Sequence, residues 1–102
     1  MAATPEAKVK AKIKAYLKTL PNCWWFMPIG GAYTTQGIPD IVGCVGGRMF
    51  AIECKAPGRE SQTTKLQKLQ VAAIEQVGAV AFVASDVETV RRVFREEGFE
   101  RA

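Results

Sequence analysis

Two carboxylates and one ammonium stand in two short apolar runs of this 102-residue chain. Asp40 opens the first run directly after Pro39, and Glu53 and Lys55 end the second run. Because an unpaired charge is costly to bury, charges at such positions need a partner. Two acids with a lysine beside them can hold a divalent cation and orient a water molecule, which is the chemistry that hydrolysis of a phosphodiester requires.

The pair Gly46-Gly47 separates the two runs and predicts a tight β-hairpin, because the favoured two-residue turns need positive φ. A turn at these glycines places Asp40 directly opposite Glu53, with Cβ atoms about 5 Å apart. Like charges at that distance repel, so the two carboxylates require a proton or a cation between them. Alternation along the second strand puts Lys55 on the face of Glu53. A three-residue loop or a bulge would shift this register.

The alternative for the same residues is an ordinary ion pair at a strand end, in which Lys55 neutralises Glu53 or Asp40. The apolar context of the acids and the glycine-rich loop 30–37 beside them favour a functional site.

The composition is that of one globular domain covering residues 1–102, with 48% hydrophobic and 24% charged residues. Lys and Arg outnumber Asp and Glu by 14 to 10, which favours a polyanionic partner without deciding it. The chain has no His, which excludes Ser-His and Cys-His catalysis and argues against zinc. The three cysteines, Cys23, Cys44 and Cys54, form no CxxC pair and are expected to be reduced thiols.

No apolar run approaches the ~20 residues that span a bilayer, so no membrane association is expected. Residues 1–18 carry lysines but lack the apolar segment of a secretory signal. The expected location is therefore the cytoplasm.

Periodicity, capping residues and turn signals predict the element order αβββαβα, an α/β fold with a mixed four-stranded sheet flanked by helices. Thr4 is the expected N-cap of the first helix, and Ser85 with Glu88 has the spacing of a capping box for the last. The helices are predicted over residues 4–20, 64–77 and 87–97, and the strands over 23–29, 40–45, 48–55 and 80–84. The inward residues expected for the second helix are Leu66, Leu69, Ala73 and Val77.

The segment G-I-P-D ending at Asp40, the segment F-A-I-E-C-K ending at Lys55 and the later Gln67 together resemble the VRR-NUC branch of the PD-(D/E)XK nuclease superfamily. The resemblance runs from about residue 6 to residue 83. It implies a restriction-endonuclease-like αβββαβ(α) core and an endonuclease that uses Mg²⁺, with Mn²⁺ as a substitute. Asp40, Glu53 and the backbone carbonyl of Cys54 would be the metal ligands, and Lys55 would orient or activate the attacking water.

Two further residues carry over from this resemblance. Glu6 matches an acidic residue that often completes the metal site of the family, and a favourable interaction with the helix dipole is the equally weighted alternative. Gln67 matches a glutamine at the start of the helix after the nuclease strands. We favour that role over a capping box with Thr64, and Gln70 could share the same face.

The expected nucleic-acid contacts lie in the glycine-rich loop and near the second helix. Nothing resembles a base-reading helix or a zinc module, which favours recognition of DNA structure over DNA sequence. Small standalone members of the family look like homodimers that act on branched DNA such as Holliday junctions. The candidate phosphate contacts are Tyr33, Thr34, Thr35, Arg59 and Lys65.

The sequence thus leads to a metal-dependent, structure-selective DNA endonuclease that works as a homodimer in a bacterial or phage-infected cytoplasm. One alternative is a non-catalytic DNA-binding module that retains the nuclease fold. Another is a purely structural domain held by ion pairs. The joint presence of Asp40, Glu53 and Lys55 favours the enzyme.

Overall fold

The computed structural model of the chain describes residues 3–30 and 35–100. The predicted order αβββαβα is confirmed over these residues, with one additional 3₁₀ turn at Glu60–Gln62. The elements are α1 (Pro5–Leu17), β1 (Cys23–Phe26), β2 (Ile41–Val45), β3 (Arg48–Cys54), α2 (Lys65–Gln76), β4 (Val80–Ala84) and α3 (Val87–Glu96).

The four strands form one mixed sheet in the order β1-β2-β3-β4. Strands β1, β2 and β3 pair in antiparallel fashion, whereas β4 runs parallel to β3 after the crossover through α2. The hairpin between β2 and β3 turns at Gly46 and Gly47, whose φ angles are 55° and 89°. Val45 therefore pairs with Arg48 and the ladder continues to Ile41 with Ile52, which confirms the predicted register.

The hydrophobic core lies on the face of the sheet that α1 and α3 cover. Ile13 and Leu17 of α1 are almost completely buried, as are Phe50 and Ile52 of β3. Phe94 of α3 meets Phe50 edge to face, with 5.0 Å between the ring centroids. An edge-to-face aromatic pair adds specific geometry to the apolar area that both rings bury, so this pair anchors α3 on the sheet.

Helix α2 packs against β3 and β4 on the other face, but with a different side from the one predicted. The predicted inward residues are solvent-exposed, by 52% for Leu66, 57% for Leu69 and 82% for Val77. Close contact with the loop before β2 fixes the rotation of the helix, because a Cβ built on Gly37 would lie 2.7 Å from the Leu66 carbonyl carbon. The half-buried residues that turn toward the sheet are Gln67, Gln70, Val71 and Ile74.

The helix caps follow the sequence with one correction. The Thr4 side chain accepts a hydrogen bond from the Ala7 N–H and begins α1 as predicted. The N-cap of α3 is Asp86, whose Oδ1 accepts from the Thr89 N–H at 2.7 Å, so the predicted capping box from Ser85 is wrong by one residue. A carboxylate at this position is a charged acceptor next to the positive end of the helix dipole, which favours it over the neighbouring hydroxyl.

Helix α1 and strand β1 are three or four residues shorter than predicted, and β2, β3, α2 and α3 are shorter by one or two. Helix α1 ends at Leu17 because the next residues form tighter turns, in which Thr19 and Leu20 donate to carbonyls three residues back. Strand β1 ends at Phe26, and Pro28, which has no N–H to donate, follows two residues later. Strand β3 ends at Cys54, so Lys55 is the first residue beyond the strand.

In the described part of the chain, none of the helices combines the length and the apolar character that crossing a membrane requires.

Candidate functional site

Asp40 lies immediately before β2 and is tied to the end of β3. Its Oδ2 accepts a hydrogen bond of 2.8 Å from the backbone N–H of Cys54. Because Ile41 pairs with Ile52, the ladder brings Asp40 level with Glu53, as the turn at the two glycines predicts. The predicted placement of Asp40 level with Glu53 is therefore confirmed.

Glu53 is a buried carboxylate, with only 2% of its surface exposed. Burial, first, and the negative charge of Asp40 together raise the pKa of Glu53 to about 7, against the opposing effect of the Lys55 ammonium. Among the described residues its Oε1 finds no hydrogen-bond partner. A buried acceptor without a partner is costly, so a proton, a cation or a water molecule is needed to satisfy this oxygen.

Lys55 completes the set that the sequence singles out. Its Nζ lies 3.6 Å from Oε2 of Glu53, and 13% of its side chain is exposed. The Lys55 side chain also lines a cleft of about 340 Å³ together with Glu6, Arg59 and Gln62. The ammonium therefore stands between a buried acid and solvent, where it can meet an anionic substrate.

Glu6 is linked to the acidic pair by a second lysine, Lys10, whose role could not be read from the sequence. The Lys10 Nζ lies 3.3 Å from Glu6 Oε2 and 3.4 Å from Asp40 Oδ1. Burial lowers the pKa of Lys10, but the charges of Asp40 and Glu6 outweigh this effect and the net shift is upward. The i,i+4 spacing of Glu6 and Lys10 was a readable signal, whereas the contact with Asp40 depends on the tertiary fold.

The donor set at this point suits a hard divalent cation. Two neighbouring carboxylates, one of them with an unpartnered buried oxygen, offer the oxygen ligands that Mg²⁺ prefers. A search of residues 3–30 and 35–100 finds no cluster of three or more His, Cys, Asp or Glu side chains that could hold a metal. Asp40 and Glu53 thus form a pair of carboxylates, and Lys10 links Asp40 to the third acid, Glu6.

Cys54, whose backbone carbonyl is the other predicted ligand, contacts the acidic pair through its backbone N–H, which donates to Asp40. Its side chain belongs to the core on the α1 and α3 face and has no exposed surface. Burial raises the pKa of the Cys54 thiol to about 12, and the charge of Asp40 adds to this shift. The thiol is therefore a packing group, not a nucleophile or a metal ligand.

Gln67 forms the capping box that was the less favoured alternative. The Gln67 Oε1 accepts from the Thr64 N–H at 2.9 Å, and the Gln67 N–H donates to Thr64 Oγ1 at 3.1 Å. Gln70, one turn later, reaches the backbone carbonyl of Gln36 at 3.4 Å. Gln67 thus caps α2 itself, and Gln70 connects α2 to the loop before β2.

The candidate phosphate contacts are only partly within the described structure. Tyr33 and Thr34 lie outside the described residues, while the exposed Thr35 lines a cleft of about 340 Å³ that reaches Asp40. Arg59 lines the cleft beside the acidic pair. Lys65 is exposed at the first position of α2.

Comparisons of this chain with protein-family models, with curated proteins and with solved structures found no match.

Proposed function

We propose that this protein is a metal-dependent DNA endonuclease of the VRR-NUC branch of the PD-(D/E)XK superfamily, with the restriction-endonuclease-like core of that family. The observation that carries the proposal is the buried Glu53 carboxylate beside Asp40, with one oxygen that has no partner among the described residues. A purely structural ion pair needs only one carboxylate, whereas here two carboxylates lie together and one acceptor has no partner among the described residues.

In the proposed centre, Asp40, Glu53 and the Cys54 carbonyl would hold Mg²⁺, or Mn²⁺ in its place. The bound ion would supply Lewis acidity toward the phosphate and a water of lowered pKa. The hydrogen bond from the Cys54 N–H fixes the Asp40 carboxylate in position. Lys55, anchored by Glu53 and open to the cleft, orients the attacking water and offsets charge on the phosphate.

The two clefts beside the acids suggest where DNA lies. One cleft carries Arg59 next to Lys55, and the other carries Thr35 next to Asp40, so the backbone of a strand can pass over the acidic pair. The net charge of +4 favours a polyanion. We take branched DNA such as a Holliday junction as the preferred substrate and the bacterial or phage-infected cytoplasm as the location.

The exposed apolar residues on the α2 side of the molecule support the homodimer that we propose. Trp24 and Phe26 of β1 are 66% and 46% exposed and lie against each other, with 5.5 Å between their ring centroids. Met49 of β3 is 39% exposed on the same face, because Trp24 and Met49 both pair with Cys44. Helix α2 covers β3 and β4 and leaves this half of the sheet open.

Helix α2 adds a stripe of exposed apolar residues to this surface, which we call the apolar face. The stripe consists of Leu66, Leu69, Ala73 and Val77. An exposed patch of this kind marks an interaction site, and one buried aromatic side chain alone contributes about 150–250 Å² of the ~800 Å² per partner in a standard interface. None of its residues is charged, which argues against DNA as its occupant. In a twofold-symmetric dimer, the exposed apolar residues of α2 in one copy can pack on the uncovered half of the sheet in the other copy.

The test of the proposed activity is cleavage of a panel of DNA substrates with and without Mg²⁺. The panel contains linear duplex, single-stranded, flap and four-way-junction DNA, each incubated with the wild type, Asp40→Asn and Asp86→Asn. Asp86→Asn is the matched control because it makes the same chemical change at a helix N-cap, where Asn serves as well as Asp. The expected result is Mg²⁺-dependent cleavage, strongest on branched DNA, that Asp40→Asn alone abolishes.

Two results would overturn the proposal that this protein is an endonuclease. If no substrate is cut and both variants bind DNA like the wild type, the chain is a binding module. If Asp40→Asn cleaves DNA as fast as Asp86→Asn, the acidic pair is not the catalytic centre.

A further inference from the structure

Lys10 lies where it neutralises the acids that the proposed centre uses. Its ammonium contacts Asp40 and Glu6 at 3.4 and 3.3 Å, and a quarter of its side chain is exposed. The neighbouring residues of α1 hold the helix firmly, because Val9 is 6% exposed and Ile13 is fully buried. The backbone at Lys10 is therefore fixed, while the flexible side chain has a path to solvent.

The acids that face Lys10 come from two parts of the fold. Helix α1 supplies Glu6 and the residue before β2 supplies Asp40, while Glu53 of β3 pairs with Lys55. Lys55 neutralises the inner acid, so Lys10 is the counter-charge of the outer two. A divalent cation on Asp40 would lie next to the Lys10 ammonium and be repelled by it.

We propose that Lys10 is a built-in counter-ion that occupies the acidic site without metal and competes with the divalent cation for Asp40 and Glu6. This inference rests on the proposed function. A bound divalent cation would displace the ammonium into solvent, and Glu6 would then be free to join Asp40 and Glu53. Lys10 thus sets the metal affinity of the site and stabilises the metal-free protein.

The arrangement also accounts for the position of Glu6. Without Lys10 the three carboxylates would repel one another in the metal-free protein, and the start of α1 would be pushed from the end of β3. With Lys10 in place, the carboxylates of Glu6 and Asp40 are held at 3.3 and 3.4 Å from one ammonium in the metal-free protein. The competition lowers the affinity of the site for the metal, but the same contacts preorganise the carboxylates.

The test is the affinity for Mn²⁺ measured by isothermal titration calorimetry, without DNA, for the wild type, Lys10→Met, Lys10→Arg and Lys12→Met. Lys12→Met is the matched control, since Lys12 is an exposed lysine of the same helix. Lys10→Met should bind Mn²⁺ roughly tenfold more tightly, the size expected when one nearby unit charge is removed from a partly solvated site. Lys10→Arg, which keeps the charge, should stay near the wild type, as should Lys12→Met.

A thermal-unfolding series gives an independent readout. Lys10→Met without metal should melt at a lower temperature than the wild type and should gain more from added Mn²⁺, because ligand binding stabilises in proportion to affinity. Equal Mn²⁺ affinity in the wild type and Lys10→Met would overturn the role of Lys10 and leave the nuclease proposal standing. Absence of Mn²⁺ binding in every protein would overturn both.

Discussion

The Oδ2 atom of Asp40 accepts a hydrogen bond of 2.8 Å from the backbone N–H of Cys54, the residue after Glu53. This contact closes the open end of the β2–β3 hairpin, just beyond the last paired residues, Ile41 and Ile52. The carboxylate thus takes the place of a ladder partner, and its second oxygen is turned toward Lys10. The Asp40 carboxylate is therefore held by a backbone group of the residue that follows Glu53.

The buried carboxyl of Glu53 predicts a specific dependence of stability on pH. Its folded pKa of about 7 lies above the ordinary value of 4.5, so the folded state binds a proton more tightly than the unfolded state. This contribution is fully present below pH 4.5 and is lost as the pH rises through 7. It amounts to at most about 3 kcal/mol.

The check is the free energy of urea unfolding of the wild type and Glu53→Gln, without metal, between pH 4.5 and 8. The stability of the wild type relative to Glu53→Gln should fall across this range, and Mg²⁺ should restore part of it at pH 8. A difference that stays constant with pH would show that Glu53 titrates as an ordinary surface acid.

Gly37 should not tolerate a side chain, and the steric clash that causes this can be separated from the cost of its backbone conformation. Its φ is 78°, and a Cβ there would lie 2.7 Å from the carbonyl oxygen of Leu66 and 3.0 Å from the amide nitrogen of Gln67. Gly58 has a φ of 77° and nothing within 4 Å of its Cβ position, so Gly58→Ala carries only the cost of the backbone conformation.

We expect Gly58→Ala to lower the free energy of unfolding by about 1–2 kcal/mol, and Gly37→Ala to lower it by at least about 2 kcal/mol more. Chemical denaturation measures both values. Equal losses at the two positions would mean that the loop before β2 does not pack closely on α2.

Gln67 can serve the helix cap, the proposed active site or both, and one substitution separates these roles. Glu is as good as Gln at this position of a capping box, so Gln67→Glu should keep the stability of the wild type. Gln67→Ala should lose about 1 kcal/mol. If Gln67 acts only as a cap, Gln67→Glu will cleave DNA at the wild-type rate. A tenfold or larger loss of cleavage with unchanged stability would place the side-chain amide in the reaction.

The apolar face should hold the homodimer together. Leu69→Glu puts a charge in the middle of the exposed stripe of α2, and the expected result is a monomer in sedimentation-velocity experiments, because a buried unpaired charge is costly. Lys68→Glu is the control, since Lys68 is also exposed but lies outside the stripe. A wild-type protein that sediments as a monomer at tens of micromolar concentration would contradict the proposed dimer.

The hairpin and its acids could be predicted from the sequence because their positions depend on local rules. Two adjacent glycines fix a two-residue turn, the turn fixes the register, and the register places Asp40 and Glu53. The order of the elements follows in the same way from periodicity and caps.

The rotation of α2 and the contact of Lys10 could not be predicted, because both depend on tertiary packing. The apolar stripe of α2 suggests a buried side, yet the close approach of Gly37 turns Leu66 and Leu69 outward. The sequence shows Lys10 as one of several lysines of the first helix, equally suited to solvent or to phosphate, and only the fold brings Asp40 to within 3.4 Å of it. The cap at Asp86 was missed for a smaller reason, since two adjacent residues compete for one position.

The most direct test of the acidic pair as a metal-dependent nuclease centre is the rate of four-way-junction cleavage by Glu53→Gln over a series of Mg²⁺ concentrations. Glu75→Gln, the same change on the exposed side of α2, is the control. The account predicts wild-type rates for Glu75→Gln and a loss of at least about 100-fold for Glu53→Gln, the scale on which one essential electrostatic group matters. Cleavage by Glu53→Gln at the rate of Glu75→Gln, at every Mg²⁺ concentration, would contradict it.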